Sequence, residues 1–290
     1  MENITVSKPQ EKIDPEAYNR AIRELTNLTL RMRRLDKAKD EFISIASHEL
    51  RNPMAIIKGT IHAILTGDDG EINEEVKEDL TDLMVVVERQ IRLVNELLDV
   101  SRIEAGVIYF NIVKELDIVS IAKILAETLN ASATEEMVKI SVEETTDLPK
   151  VQGDQDKISQ VLINLVTNSR KFTKQGSVSI SFAQKDDLVL TYVTDTGSGI
   201  TKEKKDQLFQ KFTKPGDPTV GTMSAGSGLG LYISKKYVEH HGGELWLEKS
   251  EEGVGSTFAF SLPVSGSAKA NKIMEEIEAM KSIKEKGGHK

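Results

Sequence analysis

An apolar stripe with nearly heptad spacing runs through residues 76–98. Its members recur at intervals of three or four positions, and they are Val76, Leu80, Leu83, Val87, Ile91, Val94 and Leu98. This spacing predicts a helix whose apolar seam must pack on other helices. A second helical pattern covers residues 18–66 and ends in the turn-forming string TGDDG. The sequence therefore predicts a helical hairpin.

A lone hairpin offers only one partner helix to a seam this apolar. We therefore expect a second copy of the chain to complete a dimeric four-helix bundle. The alternative is an intramolecular coiled coil that lies on the rest of the chain.

Beyond residue 106 the apolar period changes and strands alternate with helices. Strands are predicted at 107–113, 139–144, 177–184, 188–195, 244–250 and 256–263, and helices at 118–129, 156–172, 202–212 and 229–240. The strands are largely connected as hairpins. This half of the chain predicts an α+β sandwich, in which helices cover one face of a mixed sheet.

Length and pattern together predict four segments. The 290 residues suggest about two domains. We expect an N-terminal segment with a helix at 1–38, a helical hairpin at 39–106, an α/β domain at 107–263 and a tail at 264–290. In the tail, SGSAKA (265–270) is typical of a linker. The helical pattern at 271–286 either docks on the domain or frays.

Composition excludes several classes of function. The chain has no cysteine, so thiolate metal sites, disulfides and cysteine nucleophiles are absent. Its net charge of −8 gives no basic footprint for nucleic acid. No apolar run approaches the roughly 20 residues that span a bilayer. We expect a cytoplasmic protein or the cytoplasmic portion of a truncated membrane protein.

The string FISIASHELRNP, residues 42–53, places one histidine inside the first helix. Asn52 follows His48 by four residues and shares its face, and Glu49 can approach the edge of the ring. An imidazole held by a carboxylate offers its other nitrogen as a nucleophile. A buried, hydrogen-bonded histidine is the alternative. Pro53 removes one helical hydrogen bond, so it predicts a loosened or bent helix beside His48.

Polar side chains recur on one face of the helix predicted at 156–172. Asn164 and Asn168 are four residues apart, and Lys171 follows three residues later. Two amide oxygens in line with an ammonium group suit a hydrated Mg²⁺ and phosphate oxygens. A solvent-facing polar stripe would have the same spacing, and the residues alone leave both interpretations open.

Two glycine-rich strings follow in the second half of the chain. DTGSGI (195–200) ends a strand, and GSGLGL (226–231) opens a helix, where exposed N–H groups attract phosphate. The second string is close to a dinucleotide-binding fingerprint but lacks its βαβ context, which argues against dinucleotides. The loop at 213–225 has the length of an active-site lid.

In their order along the chain, these strings resemble the boxes of the sensor histidine kinases of two-component systems. SHELRNP, NLVTNSRKF, DTGSGI, LFQKF, GSGLGL and GSTFAFSLP follow one another over about residues 30–263. The resemblance implies a dimerisation and histidine-phosphotransfer hairpin. It also implies an ATP-binding domain of the GHKL superfamily, which comprises gyrase, Hsp90, histidine kinases and MutL.

In the hairpin, the family pattern makes His48 the phosphate acceptor. It makes Glu49 the acid–base partner that raises the nucleophilicity of His48. Asn52 matches the position that orients water against the phosphorylated response regulator, so a phosphatase activity is also implied. Pro53 would let the bundle switch between exposing and withholding His48.

In the second domain, the family pattern implies a site for ATP and Mg²⁺. Asn164 and Asn168 would hold the metal ion, and Lys171 would neutralise phosphate charge. Asp195 would accept a hydrogen bond from the adenine amino group, and Phe172 would pack against the base.

The resemblance also assigns roles to glycines and to residues around the lid. Gly197 and Gly199 would give the base room, and Thr257 would lie near the adenine. Gly226, Gly228 and Gly230 would wrap the phosphates beneath the lid. The remaining pair, Phe209 and Phe212, would anchor the lid in the core.

One position separates this chain from the ATP-hydrolysing members of that superfamily. Those members carry a glutamate one turn before the residue that matches Asn168, where it is the base for an attacking water. This sequence has Asn164 there, and an amide has no basicity. The γ-phosphoryl group is therefore expected to wait for another nucleophile, which His48 supplies.

Three rival functions are weighed against a histidine kinase. The first rival is a non-catalytic scaffold with an inactive nucleotide domain, and the complete set of sequence boxes argues against it. The second is a serine kinase of the same superfamily, and the hairpin with SHELRNP argues against it because such kinases lack this hairpin. The third rival, an enzyme poised mainly as a phosphatase, differs only in its rates. The expected partners are a second copy of the chain, a response-regulator receiver domain and an upstream sensor domain or protein.

Overall fold

The computed structural model describes residues 15–68, 70–106, 108, 110–131, 138–145, 147–213 and 227–287. The chain divides into two compact units, Met1–Gly106 and Val107–Lys290. We call the first the hairpin unit and the second the sheet unit. No helix in the described ranges is long and apolar enough to cross a membrane.

The hairpin unit consists of two long helices, α1 (Pro15–Thr66) and α2 (Glu74–Glu104). Asn73 caps α2, since its Oδ1 accepts a hydrogen bond from the Val76 amide at 2.8 Å. The predicted helical hairpin is confirmed, and α1 continues without interruption through Pro53.

The apolar stripe on α2 is buried only along its second half. Val87, Val94 and Leu98 are buried, whereas Val76 and Leu83 are 40% and 46% exposed. Large apolar side chains of α1 are also exposed, including Leu25, Leu35, Phe42 and Ile56. One hairpin therefore leaves much of its own apolar surface in contact with solvent.

The sheet unit holds two sheets. The strands are β1 (Ile112–Leu116), β2 (Val138–Val142), β3 (Val151–Asp154), β4 (Gly176–Lys185), β5 (Leu188–Asp195), β6 (Leu245–Glu251) and β7 (Gly255–Pro263). The larger sheet has the order β2-β4-β5-β7-β6, in which β2 and β4 are parallel and the other pairs are antiparallel. Strands β1 and β3 form a separate antiparallel pair.

The helices of the sheet unit are α3 (Ile118–Ala131), α4 (Gln155–Phe172), α5 (Lys202–Lys205), α6 (Gly230–His240) and α7 (Ala268–Gly287). Helix α4 packs on β4 and β5, α6 on β6 and β7, and α3 on β2. Alternation along β5 shows which face the helices cover, because Val189, Thr191, Val193 and Asp195 are buried and the intervening residues are half-buried. The predicted mixed sheet with helices on one face is confirmed.

Two predicted elements are wrong in position or extent, and one strand was missed. The strand predicted at 107–113 occupies Ile112–Leu116 instead, and the ring of Phe110 packs edge-on against His241 at 5.0 Å. Strand β3 was missed, since its Gln, Gly and Asp residues are poor strand formers. The helix predicted at 202–212 stops at Lys205, and Phe212 has a φ of 61°, which a right-handed helix does not allow.

The tail departs from the predicted linker. Helix α7 begins at Ala268, inside the string SGSAKA, and Ala270 is fully buried. The Ala270 carbonyl accepts a hydrogen bond from Gln152 Nε2 at 2.8 Å. Ile273 lies against Gly242, where an added Cβ would come within 2.0 Å of its side chain. The first turns of α7 are therefore docked on the sheet unit.

Candidate functional site

Helix α4 presents a row of polar side chains beside the start of α6. The helix is capped by Asp154, whose Oδ1 accepts hydrogen bonds from the Asp156 and Lys157 amides, so its register is fixed from the N-terminus. The opposite face carries Ile158, Val161, Leu162 and Leu165, which are buried against the sheet. This packing leaves the polar row on the side of α4 that faces α6.

The two asparagines of this row are fixed by hydrogen bonds. Asn164 Nδ2 donates to Ser234 Oγ on α6 at 2.9 Å, and Asn168 Nδ2 donates to Asn164 Oδ1 at 3.2 Å. Gly230 opens α6 directly over Asn164, since a Cβ there would lie 2.3 Å from Asn164 Oδ1. The chain of contacts leaves Asn168 Oδ1 without a hydrogen bond to any described residue. The structure thus brings Asn164, Asn168 and Gly230 together, and it adds Ser234, which sequence reasoning missed.

Asp195 ends β5 on the face that the helices cover. It is buried, and its Oδ1 accepts hydrogen bonds from the backbone amides of Gly197 at 2.9 Å and Ser256 at 3.2 Å. Both of these contacts use the same oxygen. Oδ2 is therefore left as an acceptor with its direction set by the rest of the carboxylate.

The expectation for Thr257 is off by one residue. Thr257 is opposite Thr194 in the sheet, and their hydroxyl oxygens are 2.9 Å apart, whereas Asp195 is opposite Ser256. Because successive residues of a strand point to opposite faces, Thr257 lies on the other face of the sheet from Asp195. Ser256, also missed from the sequence, is the β7 residue at this site, and its hydroxyl is 2.9 Å from Ser250 Oγ.

The glycines of DTGSGI make room for protein backbone, and the expectation that they also give a base room stays a prediction. A Cβ on Gly197 would lie 2.5 Å from the Phe172 carbonyl oxygen. A Cβ on Gly199 would lie 2.0 Å from the carbonyl oxygen of Glu251, and its φ is 68°. The loop is held further by the Ser198 amide, which donates to the Phe172 carbonyl at 3.1 Å. These contacts fix the loop between the end of α4 and the β6–β7 turn.

The described residues on either side of the predicted lid lie in contact with each other. Gly228 lies against Phe212 and Thr213, with a φ of 76° and less than 3 Å between a notional Cβ and their backbone atoms. The residues between them, 214–226, lie outside the described residues, and so does the predicted phosphate contact of Gly226. Phe209 contacts the ring of Phe258 edge-on at 6.5 Å, as expected for an anchor. Phe212 is 62% exposed, so its predicted anchoring in the core is wrong.

The C-terminal end of α4 carries the other two predicted nucleotide contacts. Lys171 and Phe172 are exposed, and Lys171 Nζ lies 5.4 Å from the centre of the Phe172 ring. An exposed aromatic face next to the DTGSGI loop is available for stacking on a ligand.

The candidate acceptor segment lies within α1. The backbone of residues 47–53 is helical, and Glu49 and Asn52 are exposed. The side chain of His48 lies outside the described residues. Within this segment, Arg51 Nε and Nη2 donate to Asn95 Oδ1 on α2 at 3.2 Å and 2.6 Å. Sequence reasoning did not single out Arg51 or Asn95, and only the pairing of the two helices reveals the contact.

The residues on α4 fit a hydrated divalent cation. The donors are two amide oxygens, and Mg²⁺ takes few protein ligands because it keeps several waters and phosphate oxygens. No cluster of three or more His, Cys, Asp or Glu residues that could hold a metal ion by itself exists in the described ranges. A metal ion at this row would therefore complete its shell with oxygens from outside the protein, from water or phosphate.

Two family models match this chain, one in each unit. The family "His Kinase A (phospho-acceptor) domain" matches residues 38–106. The family "Histidine kinase-, DNA gyrase B-, and HSP90-like ATPase" matches residues 153–266. The second range contains the asparagine row, Asp195 and both described ends of the lid.

Curated relatives agree with both matches. The circadian input-output histidine kinase CikA of Synechococcus elongatus is 31% identical over 289 residues, which are 98% of this chain and 35% of CikA. The sensor protein SrrB of Staphylococcus aureus is 34% identical over 248 residues, 83% of this chain and 40% of SrrB. The chain thus spans less than half the length of these two relatives.

A solved structure shares the fold. Full-length ShkA in complex with AMPPNP aligns with a TM-score of 0.65 and 26% identity, covering 79% of this chain and 47% of ShkA. The sequence boxes of this chain, its two matched domains and its relatives lead to one conclusion. The chain belongs to the sensor histidine kinases.

Proposed function

We propose that this chain transfers the γ-phosphoryl group of ATP to His48 and passes it to an aspartate of a response-regulator receiver domain. The observation that carries the proposal is Asn164, an amide at the place where a water-activating carboxylate would make an ATPase. Asn164 Nδ2 donates to Ser234 Oγ, and Gly230 packs against Asn164 Oδ1. The hairpin at 39–106 is the acceptor domain in this proposal, and residues 107–263 bind the nucleotide.

Asp195 is the residue proposed to recognise adenine. Its Oδ1 is held by two backbone amides, so Oδ2 is presented in a fixed direction to accept a hydrogen bond from the adenine amino group. Phe172 is an exposed ring that would stack on the base, and the neighbouring cation Lys171 would neutralise phosphate charge. Ser256 takes the place first given to Thr257, because it lies on the same sheet face as Asp195.

We assign the metal site to Asn164 and Asn168. Asn168 Oδ1 and the second lone pair of Asn164 Oδ1 are the oxygens that would hold Mg²⁺. When bound, the ion neutralises charge on the β- and γ-phosphates. Gly228 and Gly230 let the backbone approach at the base of the lid, where phosphate oxygens meet the start of α6.

The chemical step is a displacement at phosphorus. The bond from the γ-phosphorus to the bridging oxygen breaks, and its electron pair leaves with ADP. A bond forms from the lone pair of the unprotonated ring nitrogen of His48 to the phosphorus. Glu49 takes up the proton from the other ring nitrogen, which removes the positive charge from the ring.

A second activity is assigned to Asn52, which is exposed one turn after His48. Its amide would orient water against the phosphorylated receiver aspartate, which gives a phosphatase. Pro53 removes one hydrogen bond from a helix that is otherwise continuous, so the two activities would be balanced by how α1 bends there. An upstream sensor domain or protein would set that balance.

We infer that the acceptor domain is a homodimer. Val76, Leu83, Leu35 and Phe42 are exposed on a single hairpin, and a second hairpin would cover such surfaces in a four-helix bundle. This arrangement makes the stability of the hairpin unit dependent on protein concentration.

Labelling with γ-³²P-ATP tests the proposed function. We expect an acid-labile, base-stable phosphoprotein, and we expect His48→Gln to abolish it. His62→Gln is the matched control, since His62 is an exposed histidine of the same helix. Label that persists in His48→Gln, or free phosphate released at an undiminished rate without any covalent product, would contradict the proposal.

A further inference from the structure

The side-chain contacts between α1 and α2 include three that differ in the charge of the partner. Two of them are ion pairs, Lys39 with Glu104 at 3.5 Å and Lys58 with Glu88 at 2.7 Å. The third joins Arg51 to the amide oxygen of Asn95. The guanidinium of Arg51 therefore has an uncharged partner, whereas Lys39 and Lys58 are paired with carboxylates.

The difference in partner changes what each cation can do. In the ion pairs a carboxylate neutralises the ammonium, and the pKa of Glu88 is lowered chiefly by its hydrogen bond to Lys58. An amide oxygen accepts two N–H bonds from Arg51 but carries no charge to cancel the guanidinium. Arg51 has five N–H donors, and three of them make no bond to a described residue. A fixed cation with unused donors is suited to bind an anion.

The position of Arg51 indicates which anion. Arg51 is three residues after position 48 on α1, and positions three apart in a helix lie on the same side of it. A phosphoryl group on the His48 ring would bring two negative charges to this side of the helix. The guanidinium is partly buried, which makes its interaction with that charge stronger than at a fully exposed site.

We propose that Arg51 binds the phosphoryl group as it arrives on His48, and that Asn95 is the positioning residue that holds Arg51 there. The ligand class is an N-linked phosphoryl group, the product of the step proposed above, so this inference rests on the proposed function. No further reactant enters the step, since Arg51 keeps its proton and only donates hydrogen bonds. Its charge lowers the energy of the transition state and of phosphohistidine relative to ATP.

The test compares four variants of the full chain in single-turnover labelling with γ-³²P-ATP. Arg51→Gln is expected to lower the rate constant of phosphorylation about 10- to 100-fold, as for a lost charge-assisted hydrogen bond, with KM for ATP changed less than twofold. Arg51→Lys keeps the charge and is expected to restore part of the loss. Asn95→Ala is expected to lower the rate about 3- to 10-fold, since the cation stays but is no longer fixed.

Lys58→Gln is the matched control, because it also removes a contact between α1 and α2. It is expected to label at the rate of the unchanged chain. A second readout is the final ratio of phosphoprotein to free protein in a mixture of ATP and ADP, which a purely structural contact would not shift. Arg51→Gln is expected to lower that ratio about tenfold or more, and Lys58→Gln is expected to leave it unchanged.

The outcomes separate this inference from the proposed function. Normal rate and normal final ratio in Arg51→Gln would overturn the inference while His48 remains the acceptor. Equal losses in Arg51→Gln and Lys58→Gln, with equal falls in Tm, would also overturn it, because both contacts would then be structural. Failure of the proposed function shows differently, as label that survives His48→Gln.

Discussion

The two units of this chain differ in how much of their apolar surface they bury. In the sheet unit, Leu162 and Phe260 are 0% exposed, and every residue of β7 is buried. In the hairpin unit, Phe42 and Leu35 are 71% and 70% exposed. The sheet unit closes a core with its own side chains, whereas the hairpin has two helices and only one interface between them. The difference indicates that the sheet unit has a complete core of its own and that the hairpin leaves apolar surface for a further partner.

The largest expected effect tests the closed core. Phe260→Ala removes a fully buried ring from the middle of the sheet and is expected to cost about 3–5 kcal/mol of unfolding free energy. Phe42→Ala removes an equally large ring from the hairpin surface. We expect it to leave the sheet unit unchanged and to weaken self-association. Urea unfolding at several protein concentrations measures both effects.

The contrast between the units fails if the two variants behave alike. A hairpin transition that does not move with protein concentration, together with equal losses in both variants, would show that Phe42 is covered within one copy.

The next effect tests whether nucleotide binding is confined to the sheet unit. Asp195→Asn keeps Oδ1, which accepts from the Gly197 and Ser256 amides, but replaces Oδ2 with a donor that faces the adenine amino group. We expect ADP affinity to fall about 100-fold or more, because a polar site that loses its partner rejects the ligand strongly. The Tm is expected to stay close to that of the unchanged chain. Isothermal titration calorimetry and a thermal melt give the two values.

Thr257→Val is the matched control for Asp195→Asn. Its side chain lies on the other sheet face, so we expect ADP affinity within about twofold of the unchanged chain, well below the 1.4 kcal/mol of a tenfold change. A large loss of affinity in Thr257→Val would restore Thr257 to the site and remove the reason for choosing Ser256.

The smallest expected effect concerns pH and arises in the sheet unit. His241 is buried at the end of α6, where its Nε2 accepts from the Asp154 amide at 2.9 Å and its Nδ1 donates to the Tyr237 carbonyl at 2.6 Å. Burial lowers the pKa of His241, and so does His240, whereas the Tyr237 carbonyl and the Asp154 carboxylate oppose that shift. The folded sheet unit therefore binds a proton at His241 less readily than the unfolded chain does.

The sign of the pH dependence follows from that difference. Below the unfolded value of about 6.5, the unfolded state takes up a proton that the folded state refuses, so stability falls as pH falls. We expect a loss approaching 1.4 kcal/mol per pH unit until the lowered pKa is reached. Asp117, whose pKa is lowered to about 2 by Lys150, adds its own loss only below roughly pH 4.

Urea midpoints of the sheet unit between pH 7.5 and pH 5 measure this slope. His241→Asn is expected to lower stability at pH 7.5 and to flatten the slope, and His240→Gln, at an exposed neighbour, is expected to keep it. An unchanged slope in His241→Asn would assign the pH dependence to other groups.

Sequence periodicity alone predicted the elements whose side chains alternate between core and solvent. The stripe on α2 and the faces of α3, α4 and β5 follow this rule, because burial on one side leaves a repeat in the sequence. Strand β3 left no such repeat. All four of its residues are buried, and Gln152 and Asp154 are there because they bond to Ala270 and to the start of α4.

By itself, the sequence determined the class of protein and the two kinds of unit, and it predicted candidate residues for the nucleotide site, since these depend on residue types at fixed spacings. Only the tertiary structure decided which neighbour faces Asp195, that the glycines of DTGSGI fit against backbone, that α7 docks, and that Arg51 meets Asn95. Each of these depends on strand register or on the approach of elements distant along the chain. Such contacts leave no local period, because the two partners are set by packing rather than by their own neighbours.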